Sequence, residues 1–346
     1  MTATPAFGAH VLDIDCSAET ERIAEALRAY LSDFRRKGYV VALSGGIDSS
    51  VTAALCVQAV GPDRVFGLHM PERASAPETL RLSRAVSDTF GFDSVVEEIA
   101  DTLEAVGCYR RYDHAVRQVV PDYGPGWRSK IVLPSVTRDD TLRIYSIVVE
   151  DPDGVRSRHR LSTEAYLGVV AATNFKQRVR KMLEYHHADR LNYATTGTPN
   201  RLEYDQGFFV KLGDGAADIK PIAHLYKTQV YALAEHLGVP AEIRARPSTT
   251  DTYSLEQSQE EFYFSLPHDL MDLCLYARDH RIPLPEVALA VDLDVTQVER
   301  VIRDIDQKRR ATRYLHEPAV LVGPLAARSA VGAAPQRGVR HMRSQG

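Results

Sequence analysis

The sequence has no apolar run approaching the roughly 20 residues that a membrane-spanning helix requires. Its first nine residues, Met1 to Ala9, are too weakly basic and too poor in apolar residues for a secretory leader. Cysteine is scarce. Cys16, Cys56, Cys108 and Cys274 are scattered and form no Cys-x-x-Cys pair, so neither a zinc site nor a persulfide relay is expected. Small buried thiols in a cytoplasmic protein are the plain reading. An excess of positive charge is missing too: the formal net charge of −4 provides no chain-wide field for nucleic acid. What remains is a chain of 346 residues, 44% hydrophobic and 25% charged, able to bury a core as one large domain or two small ones.

The most specific local signal is Tyr39-Val40-Val41-Ala42-Leu43-Ser44-Gly45-Gly46-Ile47-Asp48-Ser49-Ser50, with an amphipathic helix starting at once. A strand, a tight turn and a helix N-terminus make an anion site, because glycine lets the backbone approach and the helix dipole favours negative charge. Ser44, Ser49 and Ser50 add hydroxyl donors. The loop lacks the Gly-Lys-Ser/Thr ending of a Walker A motif. Asp48 would repel phosphate here unless it holds a divalent cation that the phosphate shares.

Strand-like Val65 to Met70 and Val95 to Ile99 flank a helix over Leu80 to Phe90, and Ser17 is placed to cap a helix before the first strand. This alternation predicts an α/β fold with a doubly wound parallel sheet, its ligands beyond the carboxyl ends of the strands. Lys130 to Leu133 and Leu142 to Val149 break the pattern. With the turn at Asp151-Pro152-Asp153-Gly154 and a returning strand over Arg156 to Leu161, they predict a β-hairpin insert at about 124–161. Asn174 to Tyr185 resumes as a basic helix, Leu191 to Thr196 as a strand, and Tyr226 to Leu237 as a helix closed by Gly238. The domain organisation expected is a main domain over 1–285, a C-terminal helical appendage over 286–322, and a disordered tail over 323–346. In the appendage, Glu286 to Val291 and Thr296 to Ile305 outline a helix-turn-helix. Glu299, Asp304 and Asp306 offset Arg300 and Arg303, so a packing role is preferred over DNA reading.

Ser-Gly-Gly-x-Asp-Ser at residues 44–49 resembles the pyrophosphate loop of the N-type ATP pyrophosphatases, which have an adenine nucleotide α-hydrolase-like fold. Further on come Gly197-Thr198-Pro199-Asn200-Arg201-Leu202-Glu203, Lys211-Leu212-Gly213-Asp214-Gly215-Ala216-Ala217-Asp218, Lys227-Thr228-Gln229 and Arg246-Pro247-Ser248. This order and spacing resemble the NAD synthetase family over roughly residues 20 to 320. The resemblance implies ATP-dependent amide synthesis through an acyl-adenylate, with deamido-NAD as acceptor. By position it makes Asp48 and Glu203 magnesium ligands. Ser44, Gly45, Gly46, Asp48, Ser49, Ser50, Thr198, Lys227 and Ser248 would bind ATP, with Thr249 nearly as good a choice as Ser248. Arg178, Lys211 and Asp218 would face the acceptor. Asp48 and Lys227 would serve the chemistry directly, and Asp218 could help deliver ammonia. Arg178 and Arg180, two apart on one helix, point to different faces, and motif position favours Arg178.

The resemblance also implies a homodimer. Only about 35 residues precede the first strand, which leaves free ammonia or a separate glutaminase subunit as nitrogen source. Three departures bear on the acceptor: the insert, the absence of a His-Lys pair near Pro318, and the polar run Thr249 to Ser254. Two other readings therefore stay open, the same chemistry on another carboxylate and a non-catalytic nucleotide-binding regulator.

Overall fold

The computed structural model describes residues 7–132, 145–247, 252–259, 263–264 and 266–323. Helix α1 (Cys16–Asp33) is capped by Asp15, whose carboxylate accepts from the Ala18 amide at 3.0 Å. Ser17, the cap expected from sequence, lies inside the first turn because Asp15 supplies the same chemistry two residues earlier. Then follow β1 (Tyr39–Ala42), α2 (Ile47–Val60), β2 (Val65–His69), α3 (Pro77–Phe90) and β3 (Asp93–Val96). β3 starts and ends earlier than expected. Beyond it, the amides of Glu97 and Ile99 still bond to His69 and Pro71 carbonyls, and the buried Ile99 becomes the N-cap of α4 (Ala100–Ala105).

After α5 (Cys108–Arg117) come β4 (Arg128–Val132), β5 (Ser146–Glu150) and β6 (Arg156–Arg160), all antiparallel neighbours in the order β4-β5-β6. The insert is thus a three-stranded meander, larger than a hairpin; residues 133–144 lie outside the described residues. The turn before β6 is held by Asp151, whose carboxylate accepts from the Asp153 and Val155 amides. The expected basic helix is the middle of the much longer α6 (Thr163–Leu191), which Ser162 caps and which Asn192 ends in a left-handed conformation at φ 56°. This late end shortens the last strand, β7, to Ala194–Thr195.

The remaining helices are α7 (Arg201–Gln206), α8 (Lys227–His236), α9 (Ala241–Ala245), α10 (His268–His280), α11 (Leu284–Val291) and α12 (Val295–His316). Sequence reading stopped α12 at Ile305. It runs three turns further, where polar side chains tie it to α7: Arg309 donates to both Asp205 carboxylate oxygens at 2.7 and 2.8 Å, and the Thr312 hydroxyl donates to the Gln206 carbonyl at 3.3 Å. α11 and α12 share one apolar cluster with α10, Leu12, Leu202 and Tyr226, as a packing appendage should. Residues 324–346, most of the expected tail, lie outside the described residues.

The main sheet has the order β3-β2-β1-β7 and is parallel throughout. Strand alternation sends Tyr39 and Val41 into a core with α1, α2 and α8, and Val40 into a second core with α4, α5 and α6. The fold is therefore the doubly wound parallel α/β fold expected. β1 and β7 are neighbours although α2 to α6 separate them in sequence. The loops after both strands consequently open at the same sheet edge, where the site lies.

Candidate functional site

A cavity of about 420 Å³ opens there. Its floor is the loop between β1 and α2. Gly45 takes φ +69°, and a Cβ at that position would sit 2.6 Å from the Thr79 carbonyl oxygen, so only glycine fits this turn against α3. Gly46 is the N-cap of α2 and brings no side chain to cover the helix start. The serine hydroxyls brace the loop. Ser49 and Ser50 donate to the Gly46 carbonyl at 3.0 and 2.8 Å, and Ser44 Oγ lies 3.1 Å from Ser49 Oγ. Their expected role as donors to phosphate is in this structure turned inward, the back-bonding of a serine in the first helical turn. Ser44, Gly46, Asp48 and Ser49 line the cavity; Gly45 and Ser50 support it from behind.

Asp48 is the centre of a polar cluster. Its Oδ1 accepts from Asn200 Nδ2 at 3.0 Å, and its Oδ2 accepts from Lys227 Nζ. Asn200 is the N-cap of α7 in a reciprocal capping box with Glu203. One residue therefore joins the two carboxylates that sequence reading proposed as a pair: the Asn200 side-chain amide donates to Asp48 and its backbone amide donates to the Glu203 carboxylate at 3.2 Å. Gln259 donates to the other oxygen of Glu203 at 2.8 Å. Burial, and then the charge of Asp48, push the Glu203 carboxyl up to about 8. Lys227 is 1% exposed. Burial works against its charge, but Asp48 and Glu203 outweigh that and hold it above the usual lysine range. Its backbone is fixed from the opposite side: Asp272 accepts from the amides of Lys227 and Thr228 and from the Thr228 hydroxyl. Burial raises Asp272 to about 6.

The donor chemistry fits a hard divalent cation. Two carboxylates from different elements approach one another at a phosphate loop with one lysine between them, and magnesium uses one or two carboxylates plus phosphate oxygens and water. Among the described residues no group of three or more His, Cys, Asp or Glu is assembled as a self-sufficient metal site.

Thr198 is half-buried and lines the cavity between these groups. Ser248 and Thr249 lie outside the described residues; neighbouring Arg246 and Pro247 line the cavity beside Thr79 and His69. The three acceptor candidates are placed elsewhere. Arg178 is exposed and donates to the Lys211 carbonyl at 3.4 Å. Lys211 reaches the Tyr314 and Glu317 carbonyls at 2.6 and 2.9 Å and so ties down the end of α12. Asp218 accepts from the Thr195 amide and hydroxyl, finishing the short strand β7. None of the three lines the cavity; Arg180, two residues from Arg178, does.

Sequence reading missed several residues. Asn200 and Glu203 stand three apart before an apolar residue, so the Asn-x-x-Glu capping signature could have been read. Asp272 and Gln259 carried no local signal. Nor did Lys176 and Glu72, 104 residues apart, which form a buried 2.7 Å ion pair completed by the Tyr109 hydroxyl and the Thr252 carbonyl.

The comparisons agree with this geometry. The family model described as NAD synthase matches residues 19–121 and 141–314, and the match breaks over the stretch that contains β4. The chain is 61% identical over 319 residues to the NH(3)-dependent NAD(+) synthetase of Rhizobium meliloti (strain 1021), covering 92% of this chain and 96% of that one. It is 57% identical over 312 residues to the protein of the same name from Mesorhizobium japonicum, covering 90% and 98%. In fold it is similar to the NH3-dependent NAD synthetase of Campylobacter jejuni, with a TM-score of 0.58 at 22% identity over 89% of this chain and all of that one. The family model over residues 19–121 and 141–314 and relatives at 57–61% identity show that the chain belongs to the NAD synthase family.

Proposed function

We propose that this protein converts deamido-NAD, ATP and ammonia into NAD, AMP and pyrophosphate. The carrying observation is the cluster of Asp48, Lys227, Asn200 and Glu203 at the phosphate loop, in a chain 54–61% identical to relatives named NH(3)-dependent NAD(+) synthetases.

The chemistry follows from the acceptor. A carboxylate is a poor acyl donor because its leaving group would be oxide. Attack of the carboxylate on the α-phosphate of ATP expels pyrophosphate and leaves an acyl-adenylate, whose leaving group is AMP. Ammonia then attacks the acyl carbon, so no enzyme nucleophile is required. The Gly46 turn and the start of α2 offer backbone N–H groups and the positive end of a helix dipole to the departing phosphates. Lys227, fixed by Asp272 and buried, is a point charge that can pass from Asp48 to a phosphate oxygen. Magnesium held through Asp48, Glu203 and the triphosphate would supply the further positive charge that pyrophosphate departure needs. Thr198 would contact the nucleotide, and Arg180 lines the same cavity.

Arg178, Lys211 and Asp218 sit outside the cavity. A homodimer, in which a second copy completes acceptor binding, is part of this reading and rests on the family resemblance. The relatives' names specify ammonia, so a separate glutaminase subunit is not required. No described helix is long and apolar enough to cross a membrane, and a cytoplasmic location is part of this reading.

The test is pyrophosphate release from ATP with magnesium and ammonium, with and without deamido-NAD, the products being identified by mass spectrometry. Deamido-NAD-dependent release with NAD and AMP as products supports the proposal. Release that needs a different carboxylate would replace the acceptor and keep the chemistry.

A further inference from the structure

The insert contributes Tyr145 to the wall of the cavity. Tyr145, at the start of β5, stacks on Tyr166 in the first turns of α6, with ring centroids 4.0 Å apart and planes 18° from parallel. Both rings pack against the apolar cluster that joins the insert to α5 and α6, yet both are only half-buried and both line the cavity that holds Asp48 and Glu203. Stacking on one side and an open cavity on the other make a platform. Purely structural tyrosines under a sheet would have no open side.

The chemistry around the platform is selective. Of the basic residues of α6 that line the cavity, Lys176 and Lys181 are paired with Glu72 and Glu184, and Arg180 donates through Nε to the Met70 carbonyl at 3.3 Å. Thr173, Asn174 and Gln177 present neutral polar groups to the cavity between the platform and Arg180. Burial, and then the neighbouring Tyr145, hold the Tyr166 phenol well above its ordinary range, so it stays neutral and π-rich. Such a wall accepts a flat, electron-poor ring attached to anionic groups. The pyridine ring of deamido-NAD is a cationic N-ribosyl pyridinium that bears a carboxylate and leads to a pyrophosphate. On the proposed function ATP would take the other end of the cavity, lined by Ser44, Gly46, Thr79 and Pro247.

We infer that the Tyr145–Tyr166 stack is the seat of the acceptor's pyridine ring, and that the insert is a substrate-binding element which sets acceptor specificity. The inference rests on the deamido-NAD reading above. The ring's carboxylate would then face the cluster at Asp48, and Arg180 the phosphates that follow.

The experiment is steady-state kinetics of the full chain with each of the three substrates varied in turn, for wild type, Tyr145→Ala, Tyr145→Phe and Tyr166→Phe. Aromatic stacking on one base is worth about a tenfold change in affinity when one ring is removed. Tyr145→Ala should therefore raise KM for deamido-NAD roughly tenfold, with KM for ATP and for ammonium within about twofold of wild type. Both phenylalanine variants should stay near wild type, because the ring carries the interaction. Equal melting temperatures of Tyr145→Ala and Tyr145→Phe separate binding from folding. If Tyr145→Ala unfolds, equilibrium dialysis of deamido-NAD against Tyr166→Leu replaces it, with the same tenfold loss expected. An unchanged deamido-NAD KM, or a rise confined to ATP, would overturn the inference. Failure of wild type to turn over deamido-NAD would instead overturn the functional reading.

Discussion

Lys227 and Asp48, 179 residues apart in sequence, form an ion pair in which the lysine is 1% exposed. The same lysine faces Glu203, whose carboxyl burial and Asp48 push up to about 8, so near neutral pH Glu203 is mostly protonated and the ion pair is Lys227 with Asp48. Lys227→Met would leave Asp48 without its counter-charge. Breaking a buried pair from one side costs about 3–5 kcal/mol, so chemical denaturation of the ligand-free variant should show a loss of that size. Pyrophosphate release should fall more than about a hundredfold, the range seen when one electrostatic stabiliser of a transition state is removed. Magnesium should raise the melting temperature of the variant more than that of wild type, because Asp48 would be free of its lysine and a bound cation would drive the proton from Glu203. Equal shifts would remove the metal assignment from Asp48 and Glu203.

His69, at the end of β2, is 1% exposed, and its Nδ1 lies 2.9 Å from Ser83 Oγ. Burial, and then the nearby Arg84, push the imidazole down to about 4, with Asp88 opposing weakly. The folded protein therefore keeps His69 neutral to about pH 4, whereas the unfolded chain protonates it near 6.5. Between those values the unfolded state binds the extra proton. The stability tied to this residue is complete above about pH 6.5 and is lost as pH falls toward 4. Solvent in the adjoining cavity screens part of the shift, so the loss at pH 5 should be roughly 1 kcal/mol. Urea unfolding at pH 7.5 and pH 5 should show that His69→Gln loses less stability between the two than wild type. An identical pH slope would mean that His69 is protonated in the fold.

The two glycines of the phosphate loop make different demands. At Gly45 the backbone has φ +69° and an added Cβ would meet the Thr79 carbonyl at 2.6 Å. At Gly46 φ is −95° and the nearest atom to such a Cβ is Ser44 Oγ at 3.3 Å. Gly45→Ala should lose about 2–3 kcal/mol from left-handed strain and the forced shift of α3. Gly46→Ala should lose less than about 1 kcal/mol. Thermal denaturation of the two variants decides between this ordering and its reverse.

The glycine turn and helix start at residues 44–50 were legible from local spacing. Glu203 and Lys227 were singled out only through the family resemblance, and the structure brings both to Asp48. The parallel sheet was legible because its strands are short apolar runs between helical ones. Other features depend on partners far away in the chain. Asn200 links Asp48 to Glu203 across 152 residues, Asp272 positions Lys227 across 45, and no local pattern announces either contact. The serine hydroxyls were read as phosphate donors because the motif gives residue types, whereas their direction is set by the Gly46 carbonyl. The length of α6 escaped notice because it is apolar on several faces where the insert, the sheet and the cavity each cover a part of it, so no single stripe marks its start at Thr163.

Asp218 separates a chemical role from a positional one. Sequence reading made it a helper in ammonia delivery. In the structure its Oδ2 accepts from the Thr195 amide at 2.7 Å and from the Thr195 hydroxyl at 3.2 Å, and the residue does not line the cavity. Those bonds hold the end of β7, from which the chain runs through Thr196 and Gly197 to Thr198. A carboxylate used in this way can be replaced by an amide, whose oxygen still accepts both bonds. Asp218→Asn should therefore keep KM for ammonium within about twofold and cost roughly 1 kcal/mol of stability, the difference between a charged and a neutral acceptor. Asp218→Ala leaves the Thr195 amide without its partner, so it should lower kcat with ATP and deamido-NAD alike by loosening the strand end. If Asp218→Asn instead raises KM for ammonium alone, and does so more at low pH, where less of the ammonia is unprotonated, the carboxylate acts on the nucleophile and the positional account is wrong.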